Sequence, residues 1–450
     1  LGSDLSRPYV FTFSSGWHQT TCQGSFSGQI VRLAGDFLPL SIGDKGNENQ
    51  LQAHCVYLYL MRTILLRRKI GQRVLGGHPW VFGNEIDRID DGIVDGDIAD
   101  VLTYEGEFVG RGYVNTGSAI VVRLLTRDRQ EVIDAGFFHR RIETAWRYRQ
   151  RLGYTENCRV VFGEADDLPQ LIVDKFNDYL VVQTLALGID RWKPAIVEAL
   201  TALFQPKGIY ERNDVPVREL EGLPPLKGFL SAPFDTRIRI REHGLQFHVD
   251  LDKGQKTGYF LDQQDNRRAI EPLVEGAEVL GAFCYTGTFE LHAAHLGARQ
   301  VTGLDISAQA VEQARQNAVL NGLEDRCRFL EGNAFDLLKA WTKEERRWDV
   351  VMLDPPSFAR TRVNVERAVT GYKEINLRGM KLVKPGGFLV TSSCTSVVSP
   401  ELFLDVVDMA AQDARRRLRQ VEYRTQSADH PIVRGLEHTH YLKFLMVQVL

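Results

Sequence analysis

From Leu245 onward, short apolar runs alternate with longer amphipathic ones, and each apolar run ends on a polar cluster. That alternation is the pattern of a mostly parallel sheet covered by helices, since parallel neighbours need a long crossover between them. A strand over Ala277–Phe283 leads into the loop Cys-Tyr-Thr-Gly-Thr at 284–288, with a helix from Phe289. A second strand, Val301–Leu304, ends at Asp305, and Ser307 can cap a helix running to Asn321. A third strand near Arg326–Leu330 leads to Asn333, and a fourth, Asp349–Leu353, ends in Asp354-Pro355-Pro356-Ser357. A helix over Val365–Leu382 and a turn at Lys384-Pro385-Gly386-Gly387 precede a fifth strand, Phe388–Thr391, which ends at Ser392-Ser393-Cys394. All the clusters fall at carboxyl ends of strands, where open α/β sheets bind ligands.

The chain upstream follows other rules. From Ile64 to about Arg129, apolar stretches such as Ile98–Leu102, Phe108–Val109 and Ala119–Leu125 are separated by Asp95-Gly96, Glu105-Gly106 and Asn115-Thr116-Gly117, the punctuation of a small β-barrel. Its first stretch carries Arg62, Arg67, Arg68, Lys69 and Arg73 ahead of His78, Trp80 and Phe82. Cations for phosphates beside aromatics for base stacking fit a single-stranded RNA site; a solvated basic strand before a core tryptophan fits equally well. An arginine-rich helix over Phe137–Leu152, read mainly as a solvated face, precedes strands around one helix, Trp192–Phe204. Residues 1–60 hold seven charged groups and many Ser, Thr and Gly, with no persistent period. The expected organisation is an irregular or non-native extension at 1–60 with the working protein starting at Met61, a barrel at 61–132, an α+β middle domain at 133–240 and an α/β domain at 241–450.

The 450 residues suffice for about three cores. With 55 basic against 58 acidic groups, any nucleic-acid site must be a local patch. No run approaches the roughly 20 apolar residues of a membrane span. Six scattered cysteines without a CxxC pair argue against a structural zinc and a disulfide framework, and for a reducing cytoplasm.

The clusters suggest a chemistry. A tight strand-to-helix turn with an acid about twenty residues on is the geometry for an adenosine ribose, and Asp305 is that acid. The loop offers Phe283, Tyr285 and Thr286 with one glycine, Gly287, which suits a cofactor without phosphates. Two prolines stiffen the exit of the fourth strand and present Asp354, whose carboxyl can hydrogen-bond a flat heterocycle. Cys394 ends the fifth strand at the same cleft. A thiolate there could add to carbon 6 of a pyrimidine, making carbon 5 nucleophilic; as a lone cysteine it could also be an inert core residue.

Taken together, HPWVFGNEI (78–86), GQKTGYFLDQQDNR (254–267), GAFCYTGTFELHAA (281–294), LDIS (304–307), ARQNAVLNGL (314–323), DPPSF (354–358), SSCTS (392–396), ADHP (428–431) and YLK (441–443) resemble the class I, S-adenosylmethionine-dependent RNA 5-methylcytosine methyltransferases. More narrowly, they resemble the RlmI-type family that acts on bacterial large-subunit ribosomal RNA. The resemblance covers Met61 to Leu450. It implies a PUA-type barrel, a small α+β middle domain and a Rossmann-like methyltransferase domain, with S-adenosylmethionine as cofactor. It also implies that Phe283–Gly287 cradles the methionine part, Asp305 binds the ribose and Asn333 lies near adenine. Asp354 would hold the cytosine edge and Cys394 would be the nucleophile. Lys256, Thr257 and Tyr259 are candidate contacts in a segment covering the cofactor, and Arg67, Arg68, Lys69 and Trp80 are candidate RNA contacts.

Three departures stand out. Ser357 occupies the place of a second cysteine, Gln264 replaces an arginine, and Thr288 follows Gly287 where the family often has a second glycine. The expected partner is ribosomal RNA, without a membrane, and with a homodimer left open. The alternatives are the same fold methylating another ribosomal RNA base atom such as a guanine nitrogen, or an inactive RNA-binding relative.

Overall fold

A computed structural model of the chain describes residues 61–450 apart from 70, 360 and 361, and upstream the backbone of four strands within 9–39. The chain divides into two compact units, Leu1–Met61 and Arg62–Leu450. In the first, Tyr9–Ser15, His18–Ser27, Ile30–Leu33 and Asp36–Pro39 pair as an antiparallel meander. An irregular or non-native extension was expected over 1–60; the described part, within 9–39, is in strands. The pairs Ser15–His18, Ser27–Ile30 and Leu33–Asp36 close the three hairpins, and a glycine stands in each two-residue gap. Short hairpins of Thr and aromatic residues need turn chemistry more than a hydrophobic period, so a search for periodicity passes over them.

The second unit opens with a six-stranded sheet spanning residues 63–126, closed around Ile64, Leu66, Val81, Val101, Val114 and Val122. Helix α1 (Ala135–Arg151) follows, its first turn capped by the Asp134 side chain, which accepts from the Phe137 N–H at 2.7 Å. The solvated face expected of its arginines holds for Arg147 and Arg151, which are exposed. Arg149 is fully buried instead: its Nη2 lies 2.8 Å from Asp166 Oδ2 and 2.8 Å from the Asp429 carbonyl, tying the helix to the C-terminal segment. A five-stranded sheet from Asn157 to Phe229 packs on α1 and α2 (Lys193–Phe204). A hairpin, Arg237–Glu242 with Leu245–Asp250, leads into the last domain.

That domain is built on seven strands: β1 (Glu278–Ala282), β2 (Gln300–Asp305), β3 (Cys327–Glu331), β4 (Trp348–Leu353), β5 (Val383–Ser393), β6 (Leu418–Arg424) and β7 (Lys443–Val449). Their order across the sheet is 3-2-1-4-5-7-6. β1 to β5 are parallel, and β7 runs antiparallel between β5 and β6. Helices α3 (Thr288–His295), α4 (Ala308–Leu320), α5 (Ala334–Lys343), α6 (Val365–Leu382) and α7 (Pro400–Ala414) supply the crossovers and cover the faces. Strand order reverses between β1 and β4, so their carboxyl ends diverge into a crevice. Among the described residues no helix is long and apolar enough to cross a membrane.

Candidate active site

The crevice holds a cavity of about 350 Å³, within the size range of small-molecule sites. The loop after β1 forms one wall. Phe283 (φ 65°) and Tyr285 (φ 48°) both adopt the left-handed backbone, a costly state for residues with side chains that clusters at functional sites. What holds them is the end of β2: Asp305 Oδ2 accepts from the Tyr285 N–H at 2.8 Å, while Oδ1 accepts from the Ser307 N–H at 2.9 Å. The carboxylate thus braces the loop and still faces the cavity with free lone pairs.

A strap over residues 255–263 forms the lid. The Gln255 N–H donates to the Tyr285 hydroxyl at 3.0 Å, and the Phe260 ring meets Tyr285 edge-on at 5.4 Å. Lys256 Nζ stands 4.4 Å from the Phe260 ring centre and pairs with Asp262 at 2.5 Å. Burial by itself would raise Asp262; Lys256 and His430 outweigh it and hold the carboxyl well below the usual range. The Tyr441 hydroxyl donates to Asp262 Oδ2 at 2.7 Å, the Ser427 hydroxyl to the Asp262 carbonyl at 3.0 Å and Gln264 Nε2 to Asp429 at 3.1 Å. These contacts explain the two C-terminal motifs: ADHP and YLK anchor the strap.

The far wall belongs to β4 and β5. Asp354 Oδ1 accepts from Gln263 Nε2 at 3.0 Å and from the Ser392 hydroxyl. Burial raises the Asp354 carboxyl against the pull of Ser392, so the group favours its protonated, hydrogen-donating form more than an exposed aspartate does. Cys394 is half-buried in the same cavity. Burial pushes its thiol up, and the ammonium of Lys256 pulls it part of the way back. Thr395 locks the loop: its hydroxyl lies 3.0 Å from Ser357 Oγ and 2.7 Å from the Tyr372 hydroxyl, and its carbonyl accepts from Lys443 Nζ at 2.7 Å. Lys443, on β7 opposite Ser393, is buried, and desolvation lowers its ammonium to about 8.

Of the residues expected from sequence, Lys256, Phe283, Tyr285, Asp305, Asp354 and Cys394 line this one cavity. The others take supporting places. The Thr286 carbonyl accepts from Asn317 Nδ2 at 3.1 Å, and Thr257 Oγ1 donates to Asp174 at 2.6 Å. Gly287 (φ 79°) starts α3 against the Phe329 ring, where a Cβ would stand only 2.8 Å from the ring carbons. Asn333 caps α5 by accepting from the Phe335 N–H at 2.9 Å. Tyr259, expected at the cofactor, is a core residue here, 4.9 Å beneath the Arg267 guanidinium, because the strap turns its ring inward. Trp80, expected to stack on bases, has one face stacked on His438 at 4.2 Å and its Nε1 donating to Glu164 at 2.8 Å, a packing role that joins the barrel to the rest of the unit. Arg67, Arg68 and Lys69, upstream of it in the same domain, are exposed. Sequence reasoning missed Gln263, Asp262, Glu290 and Lys443 as cavity or support residues. Their motifs were visible, but only the tertiary structure brings them to the cavity and its supports.

Residues 227–442 match the family model of an S-adenosylmethionine-dependent methyltransferase, and residues 64–127 match that of a PUA-like domain. The chain is 42% identical over 379 residues to the ribosomal RNA large subunit methyltransferase I of Shewanella denitrificans, spanning 83% of this chain and 95% of that one. It is 38% identical over 398 residues to the protein of that name from Alteromonas mediterranea, spanning 88% and 98%. The crystal structure of SMU.776 complexed with SAH shares the fold, with a TM-score of 0.74 at 18% identity over 86% of this chain and 100% of that one. Identity at this level across nearly the whole of those relatives, together with the match of both domains, means that the chain belongs to the ribosomal RNA large subunit methyltransferase I family of S-adenosylmethionine-dependent methyltransferases.

Proposed function

We propose that this protein methylates carbon 5 of a cytosine in large-subunit ribosomal RNA through a covalent adduct with Cys394. The observation that carries the reading is that Cys394 and Asp354 line the same cavity as Asp305 and the Phe283–Tyr285 loop, which supports a nucleophile and a base-edge contact working beside a cofactor wall. S-adenosylmethionine, bound along Asp305 and the loop, supplies an electrophilic methyl group. The target cytosine leaves its stack to enter the cavity. Cys394 gives up its proton to water, and its sulfur forms a bond to carbon 6 while the carbon 5–carbon 6 π pair moves onto carbon 5, delocalised toward the ring edge. Asp354, held in place by Gln263 and Ser392, hydrogen-bonds the edge of the cytosine ring as charge gathers there. The electron pair at carbon 5 then takes the methyl group, and the pair of the broken methyl–sulfur bond leaves with the neutral thioether. Loss of the carbon-5 proton to a base restores the double bond and expels the Cys394 thiolate. Ser357, in the place where relatives of this chemistry carry a second cysteine, is tied to Thr395 and Ala359 and serves to shape the turn.

The exposed Arg67, Arg68 and Lys69 supply phosphate contacts that hold RNA without reading its sequence. The test is nucleoside mass spectrometry of ribosomal RNA incubated with the protein and S-adenosylmethionine, beside the Cys394→Ala variant. New 5-methylcytidine that disappears in the variant is the expected result. A methylated guanosine that survives the substitution would overturn the reading and return Cys394 to a packing role.

A further inference from the structure

One cavity-lining group has no part in the chemistry above. Glu290, in the first turn of α3, is 2% exposed, and its Oε2 has no hydrogen-bond partner. The carboxyl is accommodated by Gly281 on β1, where any Cβ would overlap Oε1. The titratable groups facing it are Asp305 at the end of β2, Asp354 at the end of β4, and the thiols of Cys284 and Cys327; no cation is among them. Burial and these two neighbouring acids push Glu290 up to about 8, so in the free protein at neutral pH it is mostly a neutral acid with an idle oxygen. A buried carboxyl with one oxygen unpartnered is expensive to keep unless something completes it.

The two acids that it senses bracket the position it would serve. Asp305 marks the ribose end of the cofactor site and Asp354 the target base. The cofactor's sulfur joins the ribose and directs its methyl group at that base, so it must lie between them. A sulfonium is a cation with no N–H to donate, and it is matched by a carboxylate with one oxygen left idle. We propose that Glu290 is the counter-ion of the cofactor's sulfonium, binding S-adenosylmethionine as the carboxylate and its neutral thioether product as the acid. The device favours loading of the charged cofactor and release of the spent one. It rests on the family's cofactor alone, whichever base atom is methylated.

The experiment is titration calorimetry of the full chain with S-adenosylmethionine and with S-adenosylhomocysteine at pH 7, in two buffers of different ionisation enthalpy. With Glu290 near 8 in the free protein, about nine in ten carboxyls start protonated. S-adenosylmethionine should release close to one proton per site and S-adenosylhomocysteine almost none, and preference for the former should grow about a hundredfold from pH 6 to pH 8. Glu290→Gln, which copies the neutral acid in shape, should bind S-adenosylhomocysteine as before, lose the proton release and lose the pH-dependent preference. Equal proton release with both ligands, or unchanged release in Glu290→Gln, would overturn the assignment.

Discussion

Removing Arg267 should unfasten the strap and cost far more than an ordinary surface change. The guanidinium is 1% exposed; its Nε lies 2.5 Å from Glu242 Oε1 and its Nη2 2.8 Å from Oε2, a two-pronged pairing inside the core. Nη2 also donates to the Phe260 carbonyl at 3.0 Å, which fixes the strap residue that packs on Tyr285. Arg267→Ala leaves Glu242, 4% exposed, as a buried carboxylate without its counter-charge. Breaking such a pair from one side costs about 3–5 kcal/mol. Replacing both partners with apolar residues of similar volume, Arg267→Met with Glu242→Leu, removes the stranded charge and should restore most of the loss. The sign of the pH dependence follows from Glu242. Burial would raise it, but Arg267 outweighs burial and holds it below its ordinary value. The pair's contribution is therefore complete above about pH 4.5 and fades as pH falls through the lowered value. Urea unfolding of the full chain at pH 7, read by tryptophan fluorescence, gives the stabilities, and calorimetry gives cofactor affinity. A single variant costing under about 1 kcal/mol, or a double variant as unstable as Arg267→Ala, would refute the reasoning. If the double variant regains stability but not cofactor affinity, the Phe260 contact is identified as the functional part of the arginine's role.

Three further outcomes follow from the same geometry. Alkylation of Cys394 by iodoacetamide, followed by peptide mass spectrometry, should accelerate steadily with pH and not level off below about pH 9, because burial raises its thiol; a plateau near pH 7 would contradict this. Replacing Arg67, Arg68 and Lys69 together with alanine should weaken RNA binding and flatten its dependence on log salt by roughly two to three in slope, while cofactor binding stays unchanged; an unaltered slope in filter binding would remove the patch from the RNA path. Glu290 carries a raised folded value, so the cofactor-free protein should lose stability as pH rises from about 4.5 to 8, by up to ~5 kcal/mol, and Glu290→Gln should abolish that decline in thermal unfolding.

Much of the α/β domain could be read from residue order alone. Ser307 caps α4, with its hydroxyl accepting from the Ala310 N–H at 3.2 Å, and α6 occupies Val365–Leu382, because capping and helical periodicity are local properties. The same holds for the cavity acids Asp305 and Asp354: a polar residue that ends a parallel strand is delivered to one edge of the sheet by the fold class itself. Turn-driven structure escaped, as in the hairpins of residues 9–39, where no period announces the strands.

What the sequence by itself determined was the strand order's raw material and the composition of each strand end. Which face each side chain took was decided only by packing between segments distant in the chain. Tyr259 and Lys256 are three residues apart, yet one packs under Arg267 and the other faces the cavity beside Asp262. Trp80 and Arg149 read as ligand-facing and solvent-facing, and both became joints between domains because His438 and Glu164, or Asp166 and Asp429, arrive from elsewhere to satisfy them. Gln263 could not be assigned to Asp354 across 91 residues without the sheet. Nor could the idle oxygen of Glu290 be found from a helix sequence in which it resembles any surface acid. Burial and the pairing of charges across long sequence separations are collective outcomes of the closed core, and no local pattern encodes them.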